Sequence, residues 1–229
     1  MNQTKIWENF QNSSRMMGAF DSSLARYKFI ANHIPSAVKV LNIGVGLGGL
    51  EKILIEKGAF VSCLDPSQET IDRVRDLYKL NEQAKTGFSQ SLPFADSEFE
   101  VVVMTEVLEH LSDEILNKTL TEVSRVLKPH GLFIGTVPFA EILMDGFTVC
   151  PHCGDNFHRW GHVQTFSMMR VQDILKENNF CVVRVETRAF PDWTRGGFLN
   201  FIKSLIRYLL GRVGASISDP RIYFEAKKL

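Results

Sequence analysis

The chain has no surplus of charge of either sign: 26 Lys and Arg stand against 26 Asp and Glu. A protein gripped mainly by a polyanion would show a basic excess, so the balance disfavours nucleic acid as a partner. The first twenty residues lack a positive segment followed by an apolar one, and no secretory signal is read there. No uninterrupted apolar run reaches the roughly 20 residues of a membrane span. Internal repeats and low-complexity linkers are missing as well. Cysteine is scarce, with four in the whole chain. Two of them, Cys63 and Cys181, sit in apolar strand-like runs and are expected to be buried thiols, which points to a reducing, cytoplasmic setting.

At 229 residues, 45% of them hydrophobic, the chain is the size of one α/β domain with an elaboration. Its most informative stretch runs from Val38 to Asp65. An apolar, largely β-branched run (Val38, Val40, Leu41, Ile43) enters glycines at 44, 46, 48 and 49, a helical segment follows, and a second apolar run stops at Asp65. This is one β-α-β unit. The glycines let the chain turn sharply and let a ligand approach bare backbone. An acid about twenty residues on is placed to accept hydrogen bonds from ribose hydroxyls.

Around that unit, residues 1–36 read as an amphipathic helical cap, with Leu24, Tyr27, Phe29, Ile30 and Ile34 inward and Pro35 as the stop. Residues 37–229 read as one domain. Helices are expected near 47–57, from a Ser67 cap with Ile71, Val74, Leu77 and Tyr78 inward, and at 113–127, 167–176 and 197–210. Strands are expected near 38–43, 60–64, 84–88, 100–104, 132–137, 181–188 and 222–226. Strands alternating with helices give an α/β class with a doubly wound, mostly parallel seven-stranded sheet and helices on both faces. Residues 140–163 form a loop too long to be a plain connection, and function is suspected there.

Gly44-x-Gly46-x-x-Gly49 satisfies a dinucleotide fingerprint, so an NAD(P)-dependent oxidoreductase is one reading. Further motifs favour another. Leu92-Pro93-Phe94 leads to Phe99-Glu100-Val101-Val102, then to Glu106-Val107-Leu108-Glu109-His110-Leu111, and then to Glu122-Val123 through Arg125-Val126-Leu127-Lys128-Pro129 and Gly131. In this order and spacing, over roughly residues 36–190, the chain resembles the class I S-adenosylmethionine-dependent methyltransferases, whose fold is Rossmann-like. The resemblance implies that Gly44, Gly46 and Gly48 pass beneath the methionine and ribose portion of S-adenosyl-L-methionine. It implies that Asp65 holds the ribose hydroxyls, that Pro66, Ser89 and Gln90 meet the adenine, and that Thr105, Glu106 and Val107 lie beside the sulfonium. The family usually has acids where this chain has Asn42 and Phe88. Asn42 is expected to hydrogen-bond the methionine amino group without charge, weakening cofactor binding.

Cys150-Pro151-His152-Cys153-Gly154 followed by His158 and His162 suggests a Cys2His2 zinc site that would order a loop with few aliphatic residues. A second reading uses other residues. Glu106-x-x-Glu109-His110 resembles the divalent-metal motif of the ubiquinone-pathway and small-RNA 2′-O-methyltransferases, which recruit a further histidine that His162 is placed to supply; this would be a magnesium site. His162 cannot easily serve both. His110 is the candidate general base, or else a helix cap.

The segment Phe198–Leu210 carries a broad apolar arc opposite Asn200, Lys203, Ser204 and Arg207. Burial against the sheet or in a dimer is the expected role; peripheral membrane contact is the other. The expected activity is methyl transfer to a hydroxyl of a small-molecule, glycan or lipid-linked acceptor, a group that is protonated at neutral pH and so benefits from a base. A non-catalytic zinc-knuckle module on a degenerate cofactor domain is the remaining rival.

Overall fold

A computed structural model describes Ile6, residues 23–191 and residues 198–229. The expectations for the rest of residues 1–22, and for Pro191-Asp192-Trp193 beyond Pro191, lie outside the described residues. The described chain runs α1 (Leu24–Asn32), β1 (Lys39–Ile43), α2 (Gly49–Glu56), β2 (Phe60–Asp65), α3 (Gln68–Tyr78), β3 (Ala84–Thr86), β4 (Phe99–Thr105), α4 (Asp113–Val126) and β5 (Leu127–Pro138). It continues through β6 (Phe147–Val149), β7 (Asn156–His158), α5 (Met168–Glu177), β8 (Phe180–Arg188), α6 (Phe198–Arg212) and β9 (Arg221–Lys228).

Seven strands form one sheet in the order β3-β2-β1-β4-β5-β9-β8. The first five are parallel, and β9 is antiparallel to both neighbours. The order reverses direction of winding at β1 and β4, and the crevice at their carboxyl ends is where a doubly wound sheet takes its ligand.

The period-two pattern of β4 shows how the sheet is sandwiched. Val101 and Val103 join Ile30 and Ile34 of the α1 region, Leu50 and Leu54 of α2 and Ile71 and Val74 of α3 in one buried cluster. Val102 and Met104 join Leu116, Leu120 and Val123 of α4 and Val171 and Leu175 of α5 in the other. Each face is thus covered by helices, as an apolar parallel strand requires. Ser67 caps α3 by accepting the Thr70 amide at 3.2 Å, as its position predicts.

Several expectations need correction. Leu24 and Leu77 are exposed although they fall near apolar faces. Cys63 is buried, but Cys181 is exposed, on the edge strand β8. The apolar arc of α6 faces outward instead of packing on the sheet: Leu199, Ile206 and Leu209 are exposed while Ser204 and Gly211 are buried. The suspected loop 140–163 contains a 3-10 turn at Leu143–Gly146 and the antiparallel β6–β7 hairpin. Val163 N donates to the Glu109 carbonyl at 2.9 Å, tying this excursion to the end of β4. Among the described residues no helix is long and apolar enough to cross a membrane.

Candidate cofactor and acceptor site

At the carboxyl end of β1 the backbone goes left-handed at Gly44 and Gly46. A Cβ on Gly44 would lie 2.5 Å from Val107 Cγ2, so the position tolerates glycine for both conformation and space. Asp65 closes β2 and is buried. Its Oδ2 accepts the Val45 amide at 3.0 Å and its Oδ1 the Ser67 amide at 2.9 Å, which fixes the carboxylate against the loop.

These elements wall a cavity of about 790 Å³. Gly44, Gly46, Asp65, Pro66, Ser89, Gln90, Thr105, Glu106, Val107 and His110 all line it. Two expected cofactor residues do not appear in that lining. Gly48 is the left-handed N-cap of α2 and packs toward Val74 and Tyr78. Asn42 is buried below the loop, where its amide donates to Glu51 Oε1 at 2.6 Å instead of facing the cavity. Asn42 Oδ1 and Glu51 Oε2 have no hydrogen-bond partner. Burial raises the Glu51 carboxyl to about 7, against the bond from Asn42, which lowers it.

Glu106 sits just after β4 with a left-handed φ of 55°. Its amide donates to the Thr136 carbonyl at 2.8 Å, and its Oε1 accepts the Thr136 hydroxyl at 2.8 Å. Arg221 Nε of β9 donates to Oε2 at 2.5 Å, and Arg26 of α1 stands 3.7 Å away. Burial alone would raise this carboxyl, but the two guanidiniums overcome it and hold Glu106 down to about 2. Neither arginine was foreseen; no local motif marks either, since the pairing with Arg221 spans 115 positions.

Three residues later Glu109 is buried, and neither of its carboxylate oxygens has a hydrogen-bond partner. Burial first, and the charge on Glu106 second, push its carboxyl well above the usual carboxylate range. His110 Nδ1 lies 3.2 Å from the Gly161 carbonyl, which assigns the ring proton to that nitrogen. His110 Nε2 is 3.8 Å from Glu109 Oε1. Burial, then His162, lower this imidazole to about 3, so it is neutral throughout the working range and not a strong base.

His162 brings its ring to 4.7 Å from that of His110, and its Nδ1 is bonded to Glu141 Oε2. His158 stacks on His162 at 4.8 Å, accepts the His162 amide on Nδ1 at 3.1 Å, and has Nε2 3.7 Å from Glu141 Oε1. Metal-capable groups among the described residues are therefore Glu109–His110–His162 and Glu141–His158–His162.

The Cys2His2 expectation is corrected accordingly: His158 and His162 converge as their spacing suggests, but on Glu141 and Glu109, and neither group includes Cys150 or Cys153. The two thiols are free and lie in the turn between β6 and β7. The hairpin pairs Phe147 with His158 and Val149 with Asn156, so the histidine end and the cysteine end point apart along it. The four-member magnesium reading is corrected at one ligand. Glu106 is taken by Arg221, Arg26 and Thr136, leaving Glu109, His110 and His162.

Comparison with known proteins agrees with this crevice. Residues 41–135 match the family model described as a methyltransferase domain. A glycine/sarcosine/dimethylglycine N-methyltransferase from Actinopolyspora halophila is 30% identical over 114 residues, covering 47% of this chain and 20% of that one. A demethylmenaquinone methyltransferase from Symbiobacterium thermophilum is 27% identical over 157 residues, covering 63% of this chain and 62% of that one. The chain thus spans less than two thirds of either curated relative. A Burkholderia thailandensis 1,6-didemethyltoxoflavin-N1-methyltransferase, solved with 1,6-didemethyltoxoflavin and S-adenosylhomocysteine, superposes with a TM-score of 0.68 at 14% identity, covering 98% of this chain and 86% of that one. Residues 41–135 are accordingly similar to a methyltransferase domain, and the seven-stranded sheet that holds them is the fold of the solved methyltransferase.

Proposed function

We propose that the protein is an S-adenosylmethionine-dependent methyltransferase acting on a hydroxyl of a small-molecule, glycan or lipid-linked acceptor, with a divalent metal held by Glu109, His110 and His162. The observation that carries the metal is Glu109: a buried carboxylate with both oxygens unpartnered, beside two imidazoles in the wall of the cofactor cavity. Without a cation such an acid is held in its neutral form, and a bound cation is what would keep it as a carboxylate ligand. The imidazoles are held as ligands usually are, His110 through Nδ1 on the Gly161 carbonyl and His162 through Nδ1 on Glu141. Two nitrogens and one carboxylate oxygen suit zinc or iron better than magnesium, which prefers oxygen alone. A metal there would polarise an acceptor hydroxyl and ease its deprotonation.

The remaining work belongs to the chain. Asp65 grips the ribose, the bare backbone at Gly44 and Gly46 admits the methionine portion, and Val107 borders the sulfonium. Alignment for in-line attack supplies about 7–11 kcal/mol of such a barrier. His110, neutral and tied to Gly161, takes the role of ligand and not of base. The names of the glycine/sarcosine/dimethylglycine and demethylmenaquinone relatives support a small-molecule acceptor, though not its hydroxyl, and the balanced charge supports it over nucleic acid.

The test joins thermal shift with elemental analysis. S-adenosylhomocysteine should stabilise the protein and NADH should not; a stoichiometric transition metal should co-purify and be lost in Glu109→Gln with S-adenosylhomocysteine binding retained. Stabilisation by NADH alone would return the oxidoreductase reading. Metal-free protein that still binds S-adenosylhomocysteine would remove the metal and leave methyl transfer standing.

A further inference from the structure

α6 is turned inside out. Its residues at 199, 202, 206 and 209, with Val213 just beyond its end, repeat every three and four positions; all but the half-buried Ile202 are exposed. Leu199 is 72% exposed, Val213 79% and Ile217, in the following turn, 85%. Leu205, Ile206 and Leu209 widen the exposed arc beyond a narrow two-helix seam. The opposite side carries Ser204 and Gly211, both buried.

The helix cannot roll to hide this arc. A Cβ on Gly211 would fall 2.3 Å from Ala189 N, so the small side is clamped on the chain that follows β8. Thr187 Oγ1 donates to the Arg212 carbonyl at 3.1 Å, and Arg207 Nε to the Ser218 carbonyl at 3.0 Å. These contacts set the orientation of the C-terminal half of the helix.

Charge identifies what covers the face. From Phe198 to Arg212 the helix has no acid and three bases, Lys203, Arg207 and Arg212, flanking the apolar arc. Arg207 lies 3.8 Å from Asp219, an exposed pair that contributes little, whereas Arg212 is bonded at 2.7 Å to the half-buried Glu186, which leaves Lys203 and Arg207 as the bases available to a partner. Two copies of this helix would set like charges together, whereas a surface of acidic headgroups answers them. At 15 residues and about 22 Å the helix suits lying along an interface and not crossing it. The arc also runs into the cavity: Ser216, Asp219 and Pro220, around exposed Ile217, form part of its rim.

We propose that the outer face of α6 docks on an anionic lipid surface and sets the cavity rim at the bilayer interface. This contact does not depend on methyl transfer. The test is co-sedimentation of the full chain with vesicles of phosphatidylcholine alone, or with about a third phosphatidylglycerol, at low salt. At least about tenfold more protein should pellet with the anionic vesicles, and Ile206→Glu with Leu209→Glu should abolish the difference while leaving the thermal midpoint unchanged. Equal binding to both vesicle types would overturn the anionic assignment. No binding, or undiminished binding by the double variant, would overturn the docking itself. A wild-type dimer that the double variant splits would place a second copy on this face and overturn the lipid.

Discussion

Beneath the glycine loop, the Asn42 amide donates to Glu51 Oε1 at 2.6 Å, and both side chains are buried. The residue that departs from the family's usual acid has thus acquired an acid of its own, one helical turn into α2.

Burial raises Glu51 from 4.5 to about 7, so between those values the folded chain holds a proton that the unfolded chain has released. Stability should therefore fall as pH rises through that window, by about 3 kcal/mol from this group, and level off above it. Denaturant titrations of wild type and Glu51→Gln across the window check this; the variant should show a shallower slope. Parallel slopes would mean that Glu51 keeps its charge in the fold.

Glu106 carries the opposite sign. Held down to about 2 against an unfolded value of 4.5, it contributes stability that is full above 4.5 and lost as pH falls toward 2. Arg221→Met removes its main partner and should destabilise by about 3–5 kcal/mol at neutral pH, the cost of a buried charge left incompletely answered. Unfolding free energies below pH 4.5 should bring variant and wild type closer together.

Asp65→Asn should weaken S-adenosylhomocysteine binding at least about tenfold, since a hydrogen bond to a charged group is worth about 1.5–3 kcal/mol. Calorimetric titration measures it. Unchanged affinity would mean that the sugar is held elsewhere.

Cys150→Ser separates the thiols from the histidines. Metal content should stay at the wild-type level, because the cluster on Glu109 includes no cysteine. A proportional loss of metal would place the ion at the hairpin turn.

Much of the architecture is legible in residue order because it follows from short-range periodicity. Val101 to Met104 alternate between two buried clusters, as a run apolar on both sides must. The glycines and Asp65 are legible for the same reason: a turn and a strand end lie within one β-α-β unit. What periodicity cannot supply is which way a face turns or which distant group meets it. The apolar arc of α6 reads identically facing in or out, and Gly211 against Ala189 decides between them. The spacing of His158 and His162 foretells that they meet, but Glu141 and Glu109 reach them through the folded loop and not through any motif. Arg221 becomes a neighbour of Glu106 only because β9 runs antiparallel beside β5, pairing Arg221 with Pro138.

That last strand has a consequence for the order of assembly. Glu106 is held in a left-handed backbone conformation that few non-glycine residues adopt, and its chief anchor arrives from a part of the chain made more than a hundred residues afterwards. A nascent polypeptide emerging as far as the hairpin would already own its glycines and its ribose acid, yet its rim would stand unlocked. Competence for the ligand is in this way deferred until β9 slides between its two neighbours.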